Sequence, residues 1–515
     1  MIQKMQPNVL DFFENGALTL AANKVALIDG SVEYKFSEVA FHAKNCAALI
    51  VSCTDSFNAP IAVFLPKSAG TIFADLGILY SGNCYANLDI KSPPERLKAI
   101  LDNLGSDLII TSSQYVPALL DVGVLEQRLL LIETVLSDTT NWNESELQAR
   151  RDRIIDTDPL CIIHTSGSTG IPKGVVLNHR STLDFMNWAF ARLELDGDEV
   201  IGSLSPFYFD IFTMELYFCL AKAATLVIIP EYLAAFPSRL LVFLSDKLVS
   251  FIFWVPTVMV NIANLNMLAQ IPLPKMRKVL FAGEVFPTKH LNYWRRHLPK
   301  AMFVNLYGPI EITVDCTYFI VEREMGDEDK LPIGFPCRNS DILILNEENC
   351  LVDVNEHGEL CVRGTSLALG YWNNPELTAK SFVQNPLQLH YPELIYRTGD
   401  TVYRNAQGEI MFVGRKDFQI KHLGYRIELG EIEHAALQID GIKQSCIVYD
   451  AEAKEICLYF ESEFDLSASE IRRELAARLP KYMLPTICQR VTQMPKNPNG
   501  KIDRLLLSRR HRVDL

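Results

Sequence analysis

Apolar runs of strand length alternate with longer amphipathic stretches over residues 25 to 320. The runs are PIAVFLP (60 to 66), LLLIETV (129 to 135), CIIHTS (161 to 166), TLVIIP (225 to 230), SFIFWVP (250 to 256) and VLFAG (279 to 283). Between them, GTIFADLGILYSG (70 to 82) and TMELYFCLAKA (213 to 223) predict helices. Alternation of this kind predicts βαβ units around a mostly parallel sheet. From about 340 to 416 the pattern shortens to DILILNEENC, GELCVRG and GEIMFVGR, strands separated by Gly and Asn turns, which predicts a β-rich subdomain. Beyond it, YRIELGEIEHAALQI (425 to 439) predicts a helix opening after a glycine, and CIVYDAEAKEICLYFES (446 to 462) a β-hairpin. SASEIRRELAARLPKYMLP (467 to 485) predicts a Ser-capped helix. The expected architecture is α/β: a large N-terminal domain over 1–416 and a small α+β domain over 417–515, with the boundary near Asp417.

Composition narrows the function classes. At 515 residues, 49% hydrophobic and 22% charged, the chain can bury large cores and is neither disordered nor a coiled coil. A formal charge of -13 argues against nucleic acid as a partner. Residues 468 to 515 nevertheless hold 11 Lys and Arg against 4 Asp and Glu, so a basic tail follows an acidic body. The twelve cysteines form no CxxC pair and sit in apolar strings, as at Cys161 and Cys361, which predicts reduced core thiols in a cytoplasmic protein. The N-terminus lacks the pattern of a secretory signal. LVSFIFWVPTVMV (248 to 260) is too short to span a bilayer and reads as a buried strand plus turn at Pro256, so no membrane partner is expected.

The densest chemical signal is HTSGSTGIPKGVVLNH, 164 to 179, directly after an apolar strand. Glycines let backbone approach an anion, amides and hydroxyls donate to its oxygens, and Lys173 adds a point charge. It is not a Walker A loop, because the lysine precedes the glycine in PKG rather than following it before Ser or Thr.

In that setting STGIPKG resembles the adenylate-forming enzyme superfamily, which holds nonribosomal peptide adenylation domains, acyl-CoA ligases and luciferases. The resemblance recurs in order through NLYGPIEIT (305 to 313), GELCVRG (358 to 364), YRTGD (396 to 400), GRKDFQIKHLGYRIELGEIE (414 to 433) and NGKIDR (499 to 504), closest to the amino-acid-activating branch. It implies ATP and Mg²⁺ as cofactors. It implies that Thr165, Ser166, Gly167, Ser168, Thr169, Gly170 and Lys173 hold phosphates, and that Glu311 positions the metal. Asn305, Tyr307 and Gly308 would frame adenine, Asp400 the ribose, with Arg415 beside it. Lys501 would reach the substrate carboxylate and α-phosphate. Where the family commonly has YGPTE this chain has YGPIE, so Ile310 lacks a hydroxyl.

The same resemblance assigns Asp210 to a substrate ammonium and lines the pocket with Ile211, Met214, Phe253, Leu280, Ala282, Leu306, Val314 and Asp315. This mostly aliphatic set implies a small or medium apolar amino acid, and the pattern looks most like stand-alone L-proline:carrier-protein ligases of natural-product pathways. D-alanine:carrier ligases are the nearest alternative. An acyl-CoA ligase would leave Asp210 buried without a cation, and a decayed, non-catalytic site would not retain these lysines and acids. The chain ends shortly after NGKIDR, so the expected partner is a separate, acidic, phosphopantetheinylated carrier protein. The resemblance further implies rotation of the small domain about Asp417, with Lys421 and Gly424 replacing Lys501 for the thiol step.

Overall fold

A computed structural model describes residues 7–137, 142–167, 172–451, 453–496 and 502–513. Its largest sheet has nine strands, in the order Phe335–Pro336, Thr317–Ile320, Met302–Tyr307, Lys278–Phe281, Phe251–Trp254, Val200–Ser203, Thr225–Ile228, Val25–Asp29 and Val32–Lys35. Every pair from Met302–Tyr307 to Val25–Asp29 is parallel, and both edges are closed by antiparallel strands. A seven-stranded sheet runs Gly370–Tyr371, Lys173–Asn178, Pro159–Thr165, Cys84–Asn87, Pro60–Phe64, Ile109–Thr111, Leu129–Leu131. Strands buried on both faces read as continuous apolar runs, as PIAVF and FIFW do.

Helix Ala69–Tyr80 lies between the two sheets, touching Pro60–Phe64 and Cys84–Asn87 of one and Val25–Asp29 of the other. It is buried almost all round, which is why it shows little amphipathic pattern. Helix Asp210–Lys222 is buried in the same way. The third sheet, Ser340–Leu345, Gly358–Gly364, Leu394–Arg404 and Phe382–Gln384 with Ile410–Arg415 alongside, is the expected β-rich subdomain.

After Asp417 the chain forms the hairpin Gln419–His422/Tyr425–Glu428, then a three-stranded sheet (Ile442–Asp450, Glu455–Ser462, Ile487–Arg490) with helices Leu429–Leu437, Ala468–Ala476 and Arg504–Val513. This α+β part has its own core, built on Ile427, Ile432, Ile447, Leu458 and Leu475. Ser467 caps Ala468–Ala476 as expected, reciprocated by Glu470 in a capping box.

Three sequence expectations need correction. LLLIETV is a strand only over Leu129–Leu131. Helix Ile132–Ser137 follows, because Ile132 and Val135 bury one helical face. SFIFWVPTVMV is a strand followed by helix Pro256–Asn264, with Pro256 at its first position, where a missing N–H costs nothing. YRIELGEIEHAALQI begins as a strand, Tyr425–Glu428, and turns helical only at Leu429. The described cysteines are all free, and nine of the twelve are buried. No helix among the described residues is long and apolar enough to cross a membrane.

Candidate active site

The segment expected to bind anions lies between the strands of an antiparallel pair. Strand Pro159–Thr165 precedes it and strand Lys173–Asn178 follows, with Thr165 opposite Lys173 in register. Thr165 is buried, and its Oγ1 makes no hydrogen bond among the described residues, so a donor stands ready for an incoming acceptor. Ser168, Thr169 and Gly170 lie outside the described residues, as does Lys501.

Glu311 sits in a single 3₁₀ turn, Ile310–Ile312, just beyond strand Met302–Tyr307, and is fully buried. It accepts from Arg426 Nη1 at 2.6 Å and from the Tyr371 hydroxyl at 2.8 Å, with Lys173 Nζ at 3.7 Å. Burial alone would push its carboxyl up, but Arg426 and Lys173 outweigh that and hold it well below the usual carboxylate range. Glu311 is therefore an ionised, acceptor-only group inside the protein. Lys173 also lies 3.9 Å from Glu428 and over the Tyr371 ring. Burial and the neighbouring Arg426 charge lower its pKa, while Glu311 and Glu428 raise it.

Strand Met302–Tyr307 carries the expected adenine residues. Asn305 Nδ2 donates to the Pro332 carbonyl at 2.7 Å, and the Tyr307 hydroxyl donates to Asp400. Asp400 and Arg415 are cross-strand partners, and Arg415 Nη1 reaches Asp400 Oδ1 at 2.6 Å. The same guanidinium grips Asp417 through Nε and Nη2, each at 2.7 Å. A Cβ at Gly308 would lie 2.4 Å from Asp315 Cα, so the two chain segments cross there only because position 308 is glycine.

The expected pocket residues Ile211, Met214, Phe253, Leu280, Ala282, Leu306 and Val314 are all buried members of the main hydrophobic core, which also takes in Val9 and Ile410. Asp210 stands at the start of helix Asp210–Lys222, one position inside it, with Phe209 as the flanking cap residue. Burial pushes its carboxyl up to about 7, against the pull of Lys421. Asp315 is 2% exposed, and its Oδ2 makes no hydrogen bond among the described residues. Burial and the Asp210 charge push its carboxyl well above the usual range. Thr313 and Val314, at φ +55° and +64°, are left-handed residues without being glycine, a strained turn that ends at Asp315.

The C-terminal hairpin enters this site. Its turn, Leu423 and Gly424, has φ of +54° and +82°, the hand that suits a two-residue hairpin. The Gly424 amide donates to Glu284 Oε1 at 2.8 Å, and Tyr425 packs edge-on to Phe209. Lys421 feels both Asp400 and Asp315, while the crowding of protein around it lowers its pKa. Ser166 Oγ donates to the Arg426 carbonyl at 2.7 Å, and the Glu428 amide donates back to Ser166 Oγ at 3.1 Å. The Gly167 amide donates to Glu431 Oε2 at 3.1 Å, and Glu431 is paired with Arg96. The sequence reading missed Arg426, Glu428, Glu431, Tyr371 and Arg96. Three of these lie inside the GYRIELGEIE motif, whose spaced charges were the available signal.

Residues 13–372 match a family model described as AMP-binding enzyme. The chain is 30% identical over 501 residues to bacitracin synthase 1 of Bacillus licheniformis, covering 96% of this chain and 9% of that protein. It is 30% identical to tyrocidine synthase 1 of Brevibacillus parabrevis, covering 94% of this chain and 43% of the relative. The chain thus spans less than half the length of these relatives. Among solved structures, holo-PA1221, an NRPS protein containing adenylation and PCP domains bound to a vinylsulfonamide inhibitor, superposes with a TM-score of 0.85 at 23% identity, covering 98% of this chain and 84% of that one. That likeness is one of fold.

Enzymes of the matched family use ATP with Mg²⁺. The residues fit that pair. Mg²⁺ is commonly held by one or two carboxylates with substrate phosphates completing the shell. Glu311 is one such carboxylate, kept ionised 3.7 Å from Lys173, and Thr165 offers a hydroxyl without a partner among the described residues.

Proposed function

Because this chain belongs to the AMP-binding enzyme family, we propose that it activates the carboxylate of an amino acid as an aminoacyl-adenylate and passes it to the phosphopantetheine thiol of a carrier protein. The observation that carries this reading is the convergence of Lys173 and Arg426 on the buried Glu311. In the first half-reaction a carboxylate oxygen bonds to the α-phosphorus and the bond to the bridging β-phosphate oxygen breaks, releasing pyrophosphate. Two anions must meet, so cations and donors lower the barrier. Thr165, Ser166, Gly167, Ser168, Thr169, Gly170 and Lys173 hold the phosphates, and Asn305, Tyr307, Gly308, Asp400 and Arg415 frame the nucleoside. Lys501 reaches the reacting carboxylate. Mg²⁺, when bound at Glu311, spreads the phosphate charge.

In the second half-reaction the thiol sulfur bonds to the acyl carbon and AMP leaves. Residues 1–416 and 417–515 act as two units turning about Asp417, and the hairpin of Lys421 and Gly424 serves the thiol step. The expected lining, aliphatic apart from Phe253, Asp210 and Asp315, suits a small or medium apolar amino acid, with L-proline as the best candidate. The surplus of Lys and Arg over 468–515 suits an acidic carrier, and the reduced cysteines suit a cytoplasmic enzyme of natural-product biosynthesis. Amino-acid-dependent ATP–pyrophosphate exchange tests the reading across the standard L-amino acids, D-alanine and a fatty acid. A dominant L-proline signal is expected. Exchange driven best by the fatty acid would overturn the role of Asp210.

A further inference from the structure

We propose that Lys67 and Asn87 are positioning residues for the substrate ammonium: together they fix the segment 204–209, which leads into Asp210. The inference rests on the role given above to Asp210. The segment joins strand Val200–Ser203 of the nine-stranded sheet to helix Asp210–Lys222 and is neither helix nor strand itself. Its course decides where the helix starts, and so where the Asp210 carboxyl stands. Both struts come from the other large sheet. Lys67 lies just past strand Pro60–Phe64, and Asn87 is the last residue of strand Cys84–Asn87. These strands are parallel neighbours, with Val63 opposite Asn87. The two side chains therefore leave from the carboxyl ends of adjacent parallel strands, the edge where α/β sheets place groups that serve ligands.

Each strut holds a different point. Lys67 Nζ donates to the Ser203 carbonyl at 2.7 Å and lies 5.4 Å from the centre of the Phe207 ring. Asn87 Nδ2 donates to the Phe207 carbonyl at 3.3 Å and to Asp75 Oδ2 at 2.9 Å, so the fully buried Asp75 fixes the amide that fixes Phe207. The helix closes the frame. The Ser203 hydroxyl donates to Glu215 Oε2 at 2.6 Å, and the Phe207 ring stacks on Phe212 with centres 3.7 Å apart. Glu215 and Glu231 supply the negative charge that favours an ammonium at Lys67 against its burial. Neither Lys67 nor Asn87 is assigned contact with substrate. Both act through Asp210, where a displacement of about 1 Å is enough to spoil an oriented contact. An ammonium is held by Asp210 before and during the reaction alike, so the displacement appears in KM for the amino acid and leaves kcat nearly unchanged.

The test uses the full-length enzyme and ATP–pyrophosphate exchange driven by L-proline, or by whichever amino acid drives it best. Lys67→Met should raise KM for the amino acid about tenfold, with kcat within threefold of wild type and KM for ATP unchanged. Lys67→Arg keeps the charge and a donor for Ser203, and should restore KM to within threefold. In an Asp210→Asn background Lys67→Met should add less than a twofold change, because its effect runs through Asp210. KM within twofold of wild type in Lys67→Met would overturn the proposal, as would a parallel rise of KM for ATP or effects that multiply in the double variant. Asn87→Ala carries the same expectations through Phe207 and decides the matter if Lys67→Met does not fold. A wild-type enzyme with no exchange for any amino acid would instead sink the adenylation reading. Hydrogen–deuterium exchange read by mass spectrometry over 204–214 then tests the struts without turnover: faster exchange in Lys67→Met supports them, and an unchanged rate overturns them.

Discussion

Thr165 and Lys173 stand opposite one another across an antiparallel strand pair. The register thus sets a hydroxyl and an ammonium side by side at the ends of the two strands. The ammonium comes within 3.7 Å of Glu311, while Glu311 keeps Arg426 and Tyr371 as closer partners.

Lys173→Met should therefore damage chemistry more than folding. Loss of one preorganised charge at a developing anion is expected to slow adenylate formation by about 100-fold. The melting temperature should change little, because Glu311 remains paired. Exchange rate and thermal unfolding, measured on one preparation, check both halves. Exchange within threefold of wild type would remove Lys173 from the machinery.

Asp210 should make substrate binding pH-dependent. Its carboxyl is raised to about 7 by burial, and an ammonium binds the ionised form. Amino-acid affinity is expected to rise from pH 6 to 8 and then level off, with Asp210→Asn weak and flat. The stability sign is opposite. Between the unfolded value of about 3.9 and the folded value, the native state holds a proton that the unfolded chain releases. This contribution is full below the unfolded value and is lost as pH rises through the folded one. Asp210→Asn should thus gain stability relative to wild type between pH 4 and pH 7, measured by urea unfolding. A difference independent of pH would refute the assignment.

Features set by local pattern were legible in the sequence: the parallel strands, the β-rich subdomain and the capped helix at Ser467. Features set by distant pairing were not. Arg96 finds Glu431 across 335 positions, and nothing near either residue announces the partner. The turn at Leu423 and Gly424 escaped because Leu is a poor signal for a left-handed residue, so the strand Tyr425–Glu428 read as helix. Pro256 read as a break because proline stops a helix from within yet opens one at its first position. The apolar residues expected around the substrate are all buried in the main core, but the burial of Asp315 near the Asp210 charge follows from the strained turn at Thr313 and Val314, which no periodicity encodes.

Ser467→Ala tests the folding of the C-terminal part independently of catalysis. Ser467 and Glu470 satisfy each other's amides at the start of Ala468–Ala476. Removing the cap should cost about 1 kcal/mol, read as a lower denaturant midpoint with an unchanged slope. Adenylate formation should persist. No change in midpoint would mean that the helix start is held by other contacts.

Gly424→Ala should separate the two half-reactions. The residue has φ +82°, and a Cβ there would lie 2.9 Å from Val255 Cγ1. Left-handed backbone costs a non-glycine residue about 1–2 kcal/mol, and the contact with Val255 adds to it. The contact with Val255 falls on the seated hairpin, whereas the backbone cost falls on the turn wherever the hairpin lies. Thiol transfer is therefore expected to drop about tenfold, in line with a penalty of about 1.4 kcal/mol per tenfold change in population. ATP–pyrophosphate exchange should stay near wild type, because the clash with Val255 belongs to the seated arrangement. Val255→Ala in the Gly424→Ala background should recover part of the transfer by removing the clash while leaving the backbone cost. Exchange and single-turnover transfer, measured side by side on the three proteins, decide the matter. Equal losses in both assays would place Gly424 in the fold rather than in the thiol step.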